Sequence, residues 1–186
     1  IINEFIDTPK SKILRIGFEE LSYDFGIREI IVDFISLKLL EKSRRKQFQT
    51  YPLVLFIDEA HQFLNKRISA DDDSSFYVQN IEFIAKEARK NGLFLCLATQ
   101  MPRDIPIGTL SQMGTFIVHR LINEQDKKAI ENAVSSASRN SLSFLPILGE
   151  GEALLVGVDF PMPLLIKINE PSVKPNSKTP KFSRTR

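Results

Sequence analysis

Apolar positions along this chain fall into two kinds of pattern. Continuous runs occur at Leu53 to Ile57 (LVLFI) and Leu93 to Ala98 (LFLCLA), with shorter apolar stretches at Ile13 to Phe18, Thr115 to Leu121, Ala153 to Val158 and Leu164 to Ile168. Such stretches predict strands, and the two continuous runs, which leave no solvent face, predict strands buried on both sides of a parallel sheet. Elsewhere apolar residues recur at three- and four-residue spacings: Ile27, Ile30, Ile31, Phe34 and Leu37, then Tyr77, Ile81, Ile84, Ala85 and Ala88. These predict one helix starting near Ile27 and another from roughly Phe76 to Lys90. The basic run Lys42, Arg44, Arg45, Lys46 suits the negative end of the first helix, and Asn91-Gly92 stops the second. A short helix from roughly Ala60 to Leu64 follows the first continuous run. Another, roughly Glu124 to Ala137, opens on Asn123 as N-cap with Asp126 three residues later.

The order strand, helix, strand over residues 13–57 predicts a βαβ unit with a right-handed crossover. The last two strands, separated by Phe160-Pro161-Met162-Pro163, predict a hairpin on the sheet edge. The fold class is therefore α/β. One domain over residues 1–169 is expected, followed by a basic tail, 170–186, that lacks the apolar content to order itself alone.

Composition sharpens this picture in three places. With 186 residues and 42% hydrophobic content the chain supports a proper core. No apolar run approaches a membrane span and the opening lacks a secretory signal, so no membrane partner is expected. The single cysteine, Cys96, lies inside an apolar run and is expected to be buried; no disulfide framework or thiolate metal site follows, which favours a cytoplasmic setting. The formal charge of +2 hides an asymmetry: Pro171 to Arg186 carry five Lys or Arg and no acid, leaving the rest of the chain at −3. A basic tail suits a polyanion. The run Asp71-Asp72-Asp73 lacks the alternating spacing of a calcium loop and reads as a solvated loop.

The chemistry gathers at strand ends. Asp58 and Glu59 follow the first continuous run directly, and in open α/β sheets ligands bind beyond the carboxyl ends of strands. An acidic pair there has the form of a Walker B element, the first carboxylate holding Mg²⁺ and the second orienting or deprotonating a water. Thr99-Gln100 ends the next run at the same edge, and an amide there can hydrogen-bond both a lytic water and a γ-phosphate oxygen. Arg89 closes the helix between them and can be projected into a neighbouring subunit's nucleotide. Each has a plainer alternative: the acids as a solvated turn, Arg89 as a helix C-terminal cation. His61 reads as a helix-start packing residue and His119 as structural.

Four ordered blocks, LVLFIDEAHQFL, IAKEARKNGLFLCLATQMP, LSQMGTFIVHRLINEQD and LPILGEGEALLVG, give the chain from Ile13 to Asn169 a resemblance to the C-terminal half of the motor core of HerA-type DNA translocases, relatives of FtsK. The resemblance implies a RecA-like P-loop ATPase core fragment, with a central parallel sheet flanked by helices and a C-terminal β-hairpin. It implies ATP and Mg²⁺, with Asp58 on the metal, Glu59 as catalytic base, Gln100 as phosphate sensor and Arg89 as trans-acting finger. Thr99 and Arg120 stand as nucleotide contacts, and Lys66, Arg67 and Arg103 as DNA contacts. It further implies a homo-oligomer, a hexameric ring, that translocates double-stranded DNA beside a NurA-like nuclease or an antiviral effector protein. Met101 departs from the arginine the family often carries before the proline. No G-x-x-x-x-G-K-[ST] phosphate loop occurs in these residues and the first residue is not methionine. A truncated chain that turns over no ATP alone is the expectation. The letters Asp58-Glu59-Ala60-His61 also spell the signature of DEAH helicases, and a non-catalytic docking domain with a relic acidic pair is the other alternative.

Overall fold

The computed structural model describes residues 2–7, 13–21, 26–64, 68–70, 74–76, 79–134, 136–158 and 160–173. Two compact units divide the chain, residues 1–112 and 113–186. Among the described residues no helix is long and apolar enough to cross a membrane.

In the first unit a short helix α1 (Ile2–Asp7) precedes the long helix α2 (Ile27–Arg44), which begins where its spacing predicts, after Gly26 in the left-handed region. Its buried face differs from the predicted one. Glu29, Val32, Asp33, Ser36, Leu39, Leu40 and Ser43 point inward, while Ile27, Ile30 and Phe34 are exposed, Phe34 at 56%. The helix carries apolar residues on two stripes, so periodicity alone does not choose between them. Hydrogen bonds offset the burial of two of these polar residues: the Ser36 hydroxyl donates to the Val32 carbonyl at 2.7 Å, and Asp33 accepts both the backbone N–H (3.1 Å) and the side-chain amide (2.7 Å) of Asn80.

Strand β1 (Leu53–Ile57) leads into the single turn α3 (His61–Leu64), and a small antiparallel pair, β2 (Ile68–Ala70) and β3 (Ser74–Phe76), comes next. Helix α4 (Asn80–Glu87) runs on as a 3-10 turn, Ala88–Asn91, to Gly92 and β4 (Leu93–Leu97). β1 and β4 pair in parallel, Leu53 opposite Leu93 through Ile57 opposite Leu97, so the βαβ unit of this chain is β1–α4–β4. Leu39, Leu40, Phe48, Ile84, Ala88 and Leu93 form the core beneath it, with Leu53, Leu55 and Leu95 packed against them.

Two expectations are corrected here. Residues 13–18 run without a strand partner, with Ile13 and Ile16 exposed, so the βαβ unit predicted over residues 13–57 does not form. A strand exists only through its ladder, and this segment has none. Nor are β1 and β4 covered on both faces: Val54 (59%), Phe56 (61%), Phe94 and Cys96 lie on an exposed outer face. The pleat sends alternate residues to opposite sides, and only the side toward α2 and α4 is filled. Cys96 is therefore exposed rather than buried. Beyond β4 come a 3-10 turn, Pro102–Asp104, and the short helix α5 (Ile107–Leu110).

In the second unit β5 (Thr115–Val118) pairs antiparallel with β6 (Glu152–Gly157), which forms the expected hairpin with β7 (Leu164–Lys167). Helix α6 (Glu124–Ala133) starts at the predicted cap: Asn123 Oδ1 accepts the N–H groups of Gln125 (2.8 Å) and Asp126 (3.3 Å). It ends earlier than predicted, and 3-10 turns over Ser136–Ile147 follow. Val118, Ile130, Val134, Leu142, Leu145, Leu148, Leu154 and Val156 form this unit's core.

Candidate functional site

The acidic pair owes its placement to the ladder between β1 and β4. The Ala98 N–H donates to the Ile57 carbonyl at 2.9 Å, and a regular parallel ladder would return the Ala98 carbonyl to the N–H of residue 59. It accepts instead from the Ala60 N–H, at 2.9 Å. One extra residue therefore sits in the β1 side of the ladder, a bulge, and Glu59 is that residue. Its backbone adopts φ 47°, the left-handed region, which costs a non-glycine residue about 1–2 kcal/mol. The Asp58 Oδ1 accepts the Glu59 N–H at 3.0 Å and supports the turn. Bulges re-aim side chains, and this one turns Glu59 toward the tip of the neighbouring strand.

There the Gln100 amide donates to Glu59 Oε1 at 2.7 Å. His61, at the start of α3, places Nδ1 3.3 Å from Glu59 Oε2 and 3.0 Å from Thr99 Oγ1. Thr99 Oγ1 also accepts the Met101 N–H at 3.0 Å, which fixes the turn leaving β4. Glu59 is one-third exposed and His61 16% exposed, whereas Asp58 is open to solvent. The structure thus brings together Asp58, Glu59, Thr99 and Gln100 as the sequence predicts, and adds His61, which the sequence assigns to packing. A cleft of about 870 Å³, mostly apolar in lining, shares only Asp58 with this cluster.

Other predicted residues lie elsewhere. Arg89 is exposed in the 3-10 turn before β4, so the length of a five-residue strand, about 15 Å, separates it from the carboxyl-end tips. Arg103 lies in the turn after β4, its Nε 3.9 Å from Asp104 Oδ1. Arg120 is exposed after β5 in the second unit. Lys66, Arg67, Asp71 to Asp73 and residues 174–186 of the basic tail lie outside the described residues. The His119 Nδ1 lies 3.0 Å from the Glu152 carbonyl, in keeping with a structural role.

Among the described residues no group of three or more His, Cys, Asp or Glu could cage a metal. A lone exposed carboxylate at a strand tip is nonetheless the donor that Mg²⁺ takes when water and phosphate oxygens fill its other positions.

Residues 46–173 match the family described as Helicase HerA-like C-terminal. A probable helicase of Methanocaldococcus jannaschii is 34% identical over 77% of this chain and 25% of its own length. The DNA double-strand break repair helicase HerA of Sulfurisphaera tokodaii is 32% identical over 87% of this chain and 33% of its own. The chain thus spans about a quarter to a third of these two relatives. Among solved structures, the genome packaging NTPase of Sulfolobus turreted icosahedral virus 2, in complex with ATP-gammaS, superimposes with a TM-score of 0.56 at 19% identity, over 74% of this chain and 62% of that one. The DNA-packaging ATPase of Sulfolobus turreted icosahedral virus gives 0.56 at 18% identity, over 86% and 80%. At this identity the likeness concerns the fold, a RecA-like α/β core.

Proposed function

The chain belongs to the HerA-like helicase C-terminal family, and from that premise we propose that it is the water-activating part of an ATP-driven motor that translocates double-stranded DNA. The observation that carries this reading is the 2.7 Å contact between Glu59 and Gln100 on adjacent strand tips, with Asp58 exposed beside them. Glu59 takes a proton from the attacking water. The Gln100 amide, which holds Glu59 Oε1 here, has a second possible acceptor in a γ-phosphate oxygen. Arrival of nucleotide then frees Oε1 for the water, so the base is exposed only when its substrate is present. Asp58 would hold Mg²⁺ through its waters, and the ion, when bound, neutralises charge on the phosphates.

These residues contain no phosphate loop, so we assign the cradle for the β- and γ-phosphates to polypeptide outside them. Arg89 cannot reach its own chain's strand tips across the length of β4, and we assign it to a neighbouring subunit's nucleotide, which calls for a ring of like subunits, a hexamer. Lys66, Arg67 and Arg103 are the candidate phosphate contacts to DNA, and Thr99 and Arg120 the further contacts to nucleotide. A NurA-like nuclease or an antiviral effector is the proposed partner.

The test is Glu59→Gln in the motor assembled with its phosphate loop. ATP affinity should be retained and turnover should fall by about 10²–10⁴-fold, as for loss of a general base. Turnover equal to the wild type would remove Glu59 from the chemistry and favour a docking domain.

A further inference from the structure

The sequence assigns His61 to packing, yet its Nδ1 stands beside the half of the Glu59 carboxylate that Gln100 does not hold. Oε2 is buried and has no hydrogen-bond partner, while Nδ1 stands 3.3 Å away, an ion-pair contact rather than a hydrogen bond. The same nitrogen lies 3.0 Å from Thr99 Oγ1.

A threonine hydroxyl has one proton and two lone pairs, and one lone pair of Thr99 is taken by the Met101 N–H. Two arrangements remain. If Nδ1 carries no proton, Thr99 donates to it, and the ring's lone pair then faces a buried carboxylate oxygen that has no donor. If Nδ1 carries the proton, it donates to Thr99 Oγ1, and the N–H dipole also stands beside Glu59 Oε2, 3.3 Å from the nitrogen, where it attracts the carboxylate. A buried carboxylate oxygen set against a lone pair is the costlier outcome, so the second arrangement is favoured.

We propose that His61 is a positioning residue for Glu59, holding Oε2 through an Nδ1–H shared with Thr99, so that Oε1 alone turns from Gln100 to the water. The inference rests on the reading of Glu59 as the base. It assigns the two oxygens different roles: Oε2 is the anchor and Oε1 the working atom. When Gln100 releases Oε1, a carboxylate without the anchor would rotate away from the water line, and the anchored one keeps its aim.

The experiment compares His61→Ala, His61→Gln and His61→Asn in the assembled motor, with Glu59→Gln measured beside them. An asparagine amide can place a donor near the position of Nδ1, whereas glutamine reaches toward that of Nε2. Alanine and glutamine should lower kcat by about 10²-fold with KM for ATP within about twofold, and asparagine should recover most of the loss. Equal turnover in all three, with Glu59→Gln inactive, overturns the role of His61 and leaves the base in place. Glu59→Gln at full activity overturns both. Nitrogen-15 NMR of the imidazole in the 186-residue chain gives a second readout that does not need ATP. Nδ1 should be found protonated, and its signal should move on both Glu59→Gln and Thr99→Val. An unprotonated Nδ1, or one indifferent to both substitutions, overturns the proposal.

Discussion

Gly92 shows how closely single residues hold the strand tips in place. It joins the 3-10 turn to β4 at φ 82°, its carbonyl accepts the Leu53 N–H at 2.9 Å, and a Cβ there would lie 2.1 Å from the Phe48 carbonyl oxygen. Gly92→Ala should therefore destabilise the chain by more than about 1 kcal/mol, since the substitution meets both a left-handed backbone and a backbone clash. A thermal melt checks this, and an unchanged Tm would mean that the turn around Phe48 yields freely. This glycine was legible in the sequence as a helix stop, because Asn-Gly after an apolar periodicity has few other uses. The acidic pair and Gln100 were legible for a similar reason: each ends an uninterrupted apolar run, and the ladder between the runs brings their tips together. His61 was not. A histidine two residues beyond an acid carries no spacing signal, and its role depends on a bulge that only the pairing of Ala98 with Ala60 reveals.

Helix α2 poses the corresponding question for an element. Its burial of Asp33 is compensated wholly by Asn80, the first residue of α4, whose preceding residue Gln79 makes no side-chain cap. Asp33 thus caps α4 from another helix. Asp33→Ala should cost about 1–3 kcal/mol by stranding a part-buried amide, and should accelerate amide hydrogen exchange in the first turn of α4 more than elsewhere. Uniform acceleration would place the effect in the core at large. This long-range cap explains why the sequence selects the wrong stripe of α2. A polar residue reads as solvent-facing until its partner, 47 positions on, is seen. The misread strand at residues 13–18 has the same origin, since pairing depends on a neighbour that no local pattern reports. Where the determining contact is local, as in the Asn123 cap of α6, sequence and structure agree.

For the whole molecule the informative residue is Arg89, exposed at the opposite end of β4 from Glu59. On the proposed reading Arg89 is a finger that acts only across a subunit boundary of a ring, and that predicts complementation. Rings of Arg89→Ala subunits and rings of Glu59→Gln subunits should each be nearly inactive, the former slowed on the order of 10³-fold or more. Mixed rings should exceed both, because some interfaces pair an intact Glu59 with an intact Arg89. Mixtures no more active than their parents would place Arg89 outside the nucleotide site. The α/β class and the terminal hairpin were legible at this scale from the alternation of runs and spacings. The separate antiparallel sheet of β5, β6 and β7 was not, since an apolar run does not state which strand it will join.

The additional residue in the β1 ladder has a mechanical meaning. Residues on either side of Glu59 are pinned to β4 by Ile57 and Ala60, while Glu59 itself is tied to no backbone across the gap. It is a slack link in a taut chain, and on the proposed reading its acid can be re-aimed without unzipping a single rung. Deleting that one link should draw the chain straight and, on the proposed reading, leave a sound frame with no trigger.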